Sequence, residues 1–152
     1  MRGLRRAALL LAVLSVALLV GGTGGAGTDG PAVASVELKG QGGSGVRGLA
    51  VFRQRGVFLR GQVAVWGLRP RSRHAAHFHG PAASCDRPLP AAVATHADLV
   101  ADRAGVAYAT FSLRARALVV TRGFVYDVHA QGRGRTDSAG GSVVSCGAIR
   151  PD

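Results

Sequence analysis

Alternating apolar and polar residues on both sides of a short turn constrain the fold of this chain most strongly. The segment Val57–Leu68 places Leu59, Val63 and Val65 on one side of a strand and Arg60 and Gln62 on the other. Such a period of two residues is typical of a strand with one buried face. A second apolar segment, Gly48–Gln54, precedes it across the Arg55-Gly56 turn. The sequence therefore predicts a β-hairpin over these residues.

Similar strand segments continue through the rest of the chain, and no amphipathic helix follows the N-terminal region. They are Val36–Leu38, His74–His79, Val106–Leu113, Gly123–Ala130 and Gly141–Ile149. Turn residues separate them about every 8 to 12 positions, which is typical of sandwiches and barrels. We therefore predict one all-β domain over residues 34–150, a Greek-key β-sandwich or flattened barrel of about eight antiparallel strands.

The N-terminus has the pattern of a secretory signal. Arg2, Arg5 and Arg6 precede the apolar run Ala7–Val20, and small residues follow. The run is shorter than the roughly 20 residues that a membrane-spanning helix needs. The sequence predicts a signal peptide over residues 1–25, a flexible leader over 26–33, and a secreted or cell-envelope location without stable membrane insertion after cleavage. An uncleaved short anchor is the alternative, and the export route stays open.

The chain carries an excess of positive charge that comes almost entirely from arginine. Its formal net charge is +11, and removal of the three signal arginines leaves about +8. Such a field attracts small anions. The arginines are spread from Arg47 to Arg150 without a dense basic stripe or interleaved aromatic residues, so no nucleic-acid partner is expected. Genome base composition is an alternative origin of this arginine content.

Two cysteines, Cys85 and Cys146, allow a single disulfide in an exported chain. Such a bond would close a loop of about 60 residues and stabilise the fold by about 4 kcal/mol in the chain-entropy model. Ligation of a metal by the two thiolates is the alternative, and it requires a reducing compartment.

Histidines at strand positions indicate a metal site. His77 and His79 are two residues apart, so both imidazoles project from one face, about 6 to 7 Å apart along the strand. A third histidine, His129, ends the strand-like sequence Tyr126–His129. A tetragonal set of nitrogen ligands favours copper(II), which is also highest in the divalent affinity order. A surface pair without a ligand is the alternative.

Several segments together resemble the copper/zinc superoxide dismutase family between Ala34 and Ile149. The similar segments are Ser35–Gly40, Val63–Leu68, the His-x-x-His-x-His strand His74–His79, Asp98-Leu99, Ala101–Ala107, Val128-His129 and Cys146–Ile149. The resemblance implies that His77, His79 and His129 ligate copper. It also implies that His74 is structural and that Cys85 pairs with Cys146.

The chain departs from that family at its zinc site. The segment between Cys85 and Asp98 is short and contains only His96, so a complete three-histidine zinc site cannot form and zinc is not expected. His96 is interpreted as a fourth copper ligand. The alternatives are that His96 and Asp98 are the remnant of a zinc site, or that His96 is a surface residue without a ligand.

A second departure concerns the arginine that guides the anion in the family. Val143 occupies the equivalent position, three residues before the last cysteine. Arg133 or Arg135, in the Gly/Arg-rich loop 131–140, is a candidate replacement, although either is also explained as a solvated loop charge.

Another resemblance leads to a different function. Ala76–Ala82 and the Tyr-x-Val-His pattern that ends at His129 are similar to the chordin-type repeat domain of secreted bacterial proteins. That domain would imply a non-catalytic binding or structural module, and a copper-buffering protein is a further non-enzymatic alternative. The dismutase resemblance instead implies that copper, with superoxide as substrate, yields dioxygen and peroxide. No nucleophile set, paired carboxylates or phosphate-binding loop indicates another reaction, and oligomeric state is not encoded in any visible pattern.

Overall fold

The computed structural model describes residues 31–131 and 141–152, where all regular structure is β-strand. The strands are β1 (Ala32–Gly40), β2 (Arg47–Arg55), β3 (Phe58–Trp66), β4 (Arg73–His74), β5 (Ala76–His79), β6 (Ala92–Thr95), β7 (Leu99–Val100), β8 (Ala107–Arg114), β9 (Val125–His129), β10 (Val143–Ala148) and β11 (Arg150–Pro151). The predicted signal peptide lies outside the described residues. The end of the predicted leader, 26–33, overlaps β1. Across the two described ranges, no helix has the length and hydropathy required to cross a membrane.

Eight strands follow one another in a single curled antiparallel sheet, in the order β6-β5-β9-β10-β1-β2-β3-β8. β11 also pairs with β1, and β4 and β7 form a separate two-stranded ribbon. The prediction of an all-β sandwich or flattened barrel is confirmed. Strands far apart in sequence lie side by side, as β10 does with β1 and β8 with β3, which is the kind of connection that Greek-key folds contain.

The predicted hairpin is formed by β2 and β3. Arg55 pairs with Phe58 across the turn Gly56-Val57, and Gly56 has a φ of +56°, which glycine adopts without strain. Burial alternates strictly along β2 and nearly so along β3, with Leu59, Val63 and Val65 inside. The apolar pattern therefore predicted both the pairing and the buried face.

Aromatic side chains join the two halves of the curled sheet. The ring of Phe52 on β2 lies 4.8 Å from that of Phe78 on β5 and 5.1 Å from that of Tyr126 on β9, measured between centroids. All three residues are fully buried, and they belong to one hydrophobic core. Large rings in edge-to-face contact contribute strongly to core stability. This cluster fixes β5 and β9 against β2.

Gly61 and Phe111 provide a test of this packing. They are partners across β3 and β8, and a Cβ added at Gly61 would lie 2.3 Å from Cζ of Phe111. We expect Gly61→Ala to lower the free energy of unfolding by about 1 to 3 kcal/mol, because the ring must move. The cost should be smaller in a Phe111→Leu background, as measured by urea denaturation of both single variants and the double variant. Strictly additive effects would contradict this interpretation.

Candidate metal centre

Two adjacent strands bring four potential metal ligands together. His77 on β5 pairs directly with Asp127 on β9. His79 follows His77 by two residues, and His129 follows Asp127 by two residues. Because side chains alternate between the faces of a strand, these four odd-numbered residues share one face. The intervening Phe78 and Tyr126 occupy the other face, in the core. The same alternation therefore produces both the core and the site.

The four side chains are close enough to surround one metal ion. Their potential ligand atoms all lie within 4.8 Å of one another, and all four residues are buried. Nε2 of His79 and Nε2 of His129 lie 3.2 and 3.1 Å from Oδ2 of Asp127. Nδ1 of His77 lies 3.8 Å from Oδ1 of the same carboxylate. Three imidazoles and a carboxylate are a chemically suitable donor set for a transition metal.

Backbone carbonyls orient two of the imidazoles. Nδ1 of His79 donates to the carbonyl of Pro90, and Nδ1 of His129 donates to the carbonyl of Gly141, both at 2.7 Å. A carbonyl oxygen can only accept, so in each neutral ring Nε2 carries the lone pair. These lone pairs point into the group. Such hydrogen bonds commonly fix the tautomer of metal-binding histidines.

The group leaves buried polar atoms that a cation would satisfy. Among the described residues, both oxygens of Asp127 and Nε2 of His79 and His129 have no hydrogen-bond partner. The distances to Asp127 are short, but a neutral ring that donates from Nδ1 has no hydrogen on Nε2 to share with the carboxylate. Buried polar atoms without partners are costly. A metal ion placed among them would remove this cost, so the residues fit a metal.

Opposing effects set the protonation of the group. Burial raises the pKa of Asp127, but contacts with His129 and His79 outweigh burial and lower its pKa from 3.8 to about 2. Burial likewise lowers the pKa of His129, but Asp127 and the Gly141 carbonyl outweigh it and raise the pKa above 6.5. The carboxylate is therefore ionised at neutral pH. It favours positive charge beside it, which either a proton or a metal ion supplies.

A cavity of about 450 Å³ opens onto these residues. Its wall includes the loop Arg87–Ala91, Gln41, Val143 and the two half-cystines. The disulfide joins Cys85 to Cys146, with Cα atoms 5.7 Å apart, so it connects this loop to β10. Because the loop also supplies the Pro90 carbonyl, the disulfide helps to hold the partner of His79 in place.

The structure does not bring His96 into this group, although the sequence interpretation favoured it as a fourth ligand. Nε2 of His96 accepts a hydrogen bond from the Tyr126 hydroxyl at 2.6 Å, and Nδ1 donates to the Ala97 carbonyl. The ring also stacks on Phe111, with centroids 4.0 Å apart. Tyr126 faces the core, so His96 lies on the opposite side of β9 from the group of four. Asp127 takes the fourth position.

The other predicted site residues have different surroundings. The side chain of Asp98 pairs with Arg73, Nε to Oδ2, at 3.3 Å, and Asp98 is not part of the group of four. His74 is buried, and its Nδ1 donates to the His129 carbonyl at 2.8 Å. That contact joins β4 to the end of β9, and the structural role expected of His74 stays a prediction. Arg133 and Arg135 lie outside the described residues.

Two features of the site were missed at the level of sequence. Asp127 is two residues before His129, and the strand period that paired His77 with His79 could also have identified it. Arg87 reaches the cavity through a loop of irregular structure, so no local pattern indicated its position.

No model of a known protein family matches this chain, and no curated protein matches it.

Paired substitutions test which residues bind the metal. We expect Asp127→Asn to weaken divalent metal binding by about 10-fold or more, because it removes the one anionic ligand. His96→Gln should leave the dissociation constant unchanged, since glutamine can still accept the Tyr126 hydrogen bond. Isothermal titration of each variant with copper(II) measures both effects. A loss of affinity in His96→Gln similar to that in Asp127→Asn would contradict the assignment.

Proposed function

We propose that this chain is an exported copper-binding protein that dismutes superoxide. The observation that carries the proposal is the buried group of three histidines and one aspartate, open to a cavity lined by a cationic side chain. Its resemblance to copper/zinc superoxide dismutases, noted from the sequence, supplies the reaction. The disulfide agrees with export, because such bonds persist in oxidising compartments.

The choice of copper depends on chemistry and on that resemblance. Three imidazoles and a carboxylate suit both copper(II) and zinc(II), but copper(II) has the higher intrinsic affinity for such ligands. Bound copper would supply one-electron cycling, in which one superoxide is oxidised to dioxygen and a second is reduced, with two protons, to hydrogen peroxide. His77, His79, His129 and Asp127 would hold the ion.

The protein contributes orientation and an entry path. The carbonyls of Pro90 and Gly141 keep Nε2 of His79 and His129 directed at the ion. Arg87, at the cavity wall, would attract the anion toward it. Prolines and alanines line much of the same wall and limit the competing hydrogen bonds that an entering anion meets. Arg133 and Arg135 remain proposed contributors to the same field.

A non-catalytic copper-binding or chordin-type module is the second candidate. Val143 favours it, because this apolar residue lines the cavity where the resemblance would place a guiding arginine. Copper binding without turnover would then be the whole function.

Superoxide decay separates the two candidates. We expect copper-loaded protein to accelerate decay, more slowly than full members of the dismutase family, because Val143 replaces the guiding arginine. Pulse radiolysis of copper-loaded, metal-free and His129→Ala protein provides the measurement. Decay no faster with copper-loaded than with metal-free protein would exclude the dismutase proposal and leave the binding module.

Ionic strength tests the role of Arg87. If a cationic wall draws the anion in, the rate should fall as salt rises, because salt screens the attraction. Arg87→Ala should lower the low-salt rate by up to about 10-fold and flatten the salt dependence. Changing Arg133 and Arg135 together to alanine should act in the same direction. Arg103→Ala, in an exposed turn away from the cavity, is the matched control, and an equal effect there would rule out specific guidance by Arg87.

A further inference from the structure

A second surface of the molecule combines exposed apolar side chains with exposed arginines. It is the outer side of β2, β3 and β8, hereafter the outer face, on which residues pair in cross-strand rows. One row contains Leu49, Ala64 and Tyr108, and Trp66 lies beside it on β3. Leu49 is 57% exposed and Tyr108 is 80% exposed. Exposed apolar residues that lie next to one another often mark an interaction site.

Four arginines lie toward the other end of the same strands, in other rows. Arg53 and Arg60 are direct cross-strand partners, an arrangement that is unfavourable for like charges unless an anion lies nearby. In the next row, Arg55 and Arg114 flank Phe58, and the guanidinium of Arg114 lies 5.2 Å from the centre of the Phe58 ring. Within the described part of the chain, no carboxylate forms an ion pair with these four arginines.

The apolar and cationic ends form one continuous surface. A shallow groove of about 510 Å³ runs over the apolar end, and a second of about 280 Å³ runs over Arg53 and Arg60. Both include Val51, Gln62 and Thr110. Arg53 lies four positions after Leu49 along β2, about 13 Å away at the usual rise per residue. A single partner can therefore contact both ends at once.

We propose that the outer face docks on a lipid bilayer that contains anionic headgroups. Such a surface supplies negative charge for the arginines and an apolar layer for Leu49, Tyr108 and Trp66. Tyrosine and tryptophan are favoured at the boundary between lipid and water, and basic side chains add to binding at anionic membranes.

Other partners complement the outer face less well. A hydrophilic polyanion would satisfy the arginines but leave the apolar end uncovered. A second copy of the chain would bring two sets of five arginines together, since Arg47 pairs with Trp66 on the same face, and these rows offer each set one acid, Glu37, which pairs with Leu49. The arginines and the exposed apolar residues of the outer face together favour a partner that is both anionic and apolar.

Trp66 makes the proposal directly measurable, because it is the single tryptophan of the chain and is 38% exposed on this face. The experiment uses the processed chain without residues 1–25, since their apolar run would bind lipid by itself. Vesicles of equal parts phosphatidylglycerol and phosphatidylcholine are compared with pure phosphatidylcholine by co-sedimentation. We expect binding to the mixed vesicles alone, with a blue shift of Trp66 emission and quenching by brominated lipid.

Matched variants identify the surface that binds. Arg53→Gln with Arg60→Gln should lower partitioning by about 10-fold or more, since each basic residue contributes to attraction. Arg103→Gln with Arg122→Gln removes the same charge from exposed turns and should have a much smaller effect. Tyr108→Ser should reduce the spectral shift. These exposed substitutions leave the core intact, and circular dichroism checks the fold.

Several results would overturn the proposal. One is binding that falls equally in both double variants; another is binding without a change in Trp66 emission, which would indicate only general electrostatic attraction. Tight binding of polyglutamate but not of mixed vesicles would identify an acidic polymer as the partner. A concentration-dependent dimer that buries Trp66, seen by analytical ultracentrifugation, would identify a second copy. None of these outcomes depends on copper.

Discussion

The structure depends on the contact between the two halves of the curled sheet, where Phe52 meets Phe78 and Tyr126. In β5, His77 and His79 flank Phe78; in β9, Asp127 directly follows Tyr126, and His129 comes two residues later. A strand cannot turn one residue without turning its neighbours, so burial of the rings fixes the direction of the ligands. The same strand register therefore buries the rings and places the four potential ligands. A shift of register by one residue would expose the rings and turn the potential ligands into the core.

Two loops orient the imidazoles that the strands bring together. Pro90 and Gly141 are far from β5 and β9 in irregular segments, yet their carbonyls determine which nitrogen of His79 and His129 faces the group. The Cys85–Cys146 disulfide ties the first of these loops to β10. The orientation of the imidazoles therefore depends on tertiary contacts with these loops. Strand pairing alone places the rings near one another, whereas the carbonyls aim their lone pairs at a common point.

The sequence predicted features with a local period and missed those without one. The β2–β3 hairpin, the all-β class and the shared face of His77 and His79 all follow from alternation over a few residues. β6 and β7 were not predicted, because they are short and their pairing with β5 and β4 is set by tertiary contacts. The contacts of His96 were not predicted for the same reason: its partners, Tyr126 and Phe111, lie far away in sequence. The spacing of His96 in the sequence does not indicate which face of β9 its side chain contacts.

The two surfaces proposed as binding sites lie on opposite sides of the core. Phe52 points inward from β2 and touches Phe78 and Tyr126, which point inward from β5 and β9. The outward-facing residues of β2 and β3 therefore point away from the outward-facing residues of β5 and β9. A membrane docked against Arg53, Arg60 and Tyr108 would leave the cavity at Arg87 turned toward solvent. The two proposals thus divide the arginine excess: one part would meet a large anionic surface, and another would attract small anions toward the candidate metal centre.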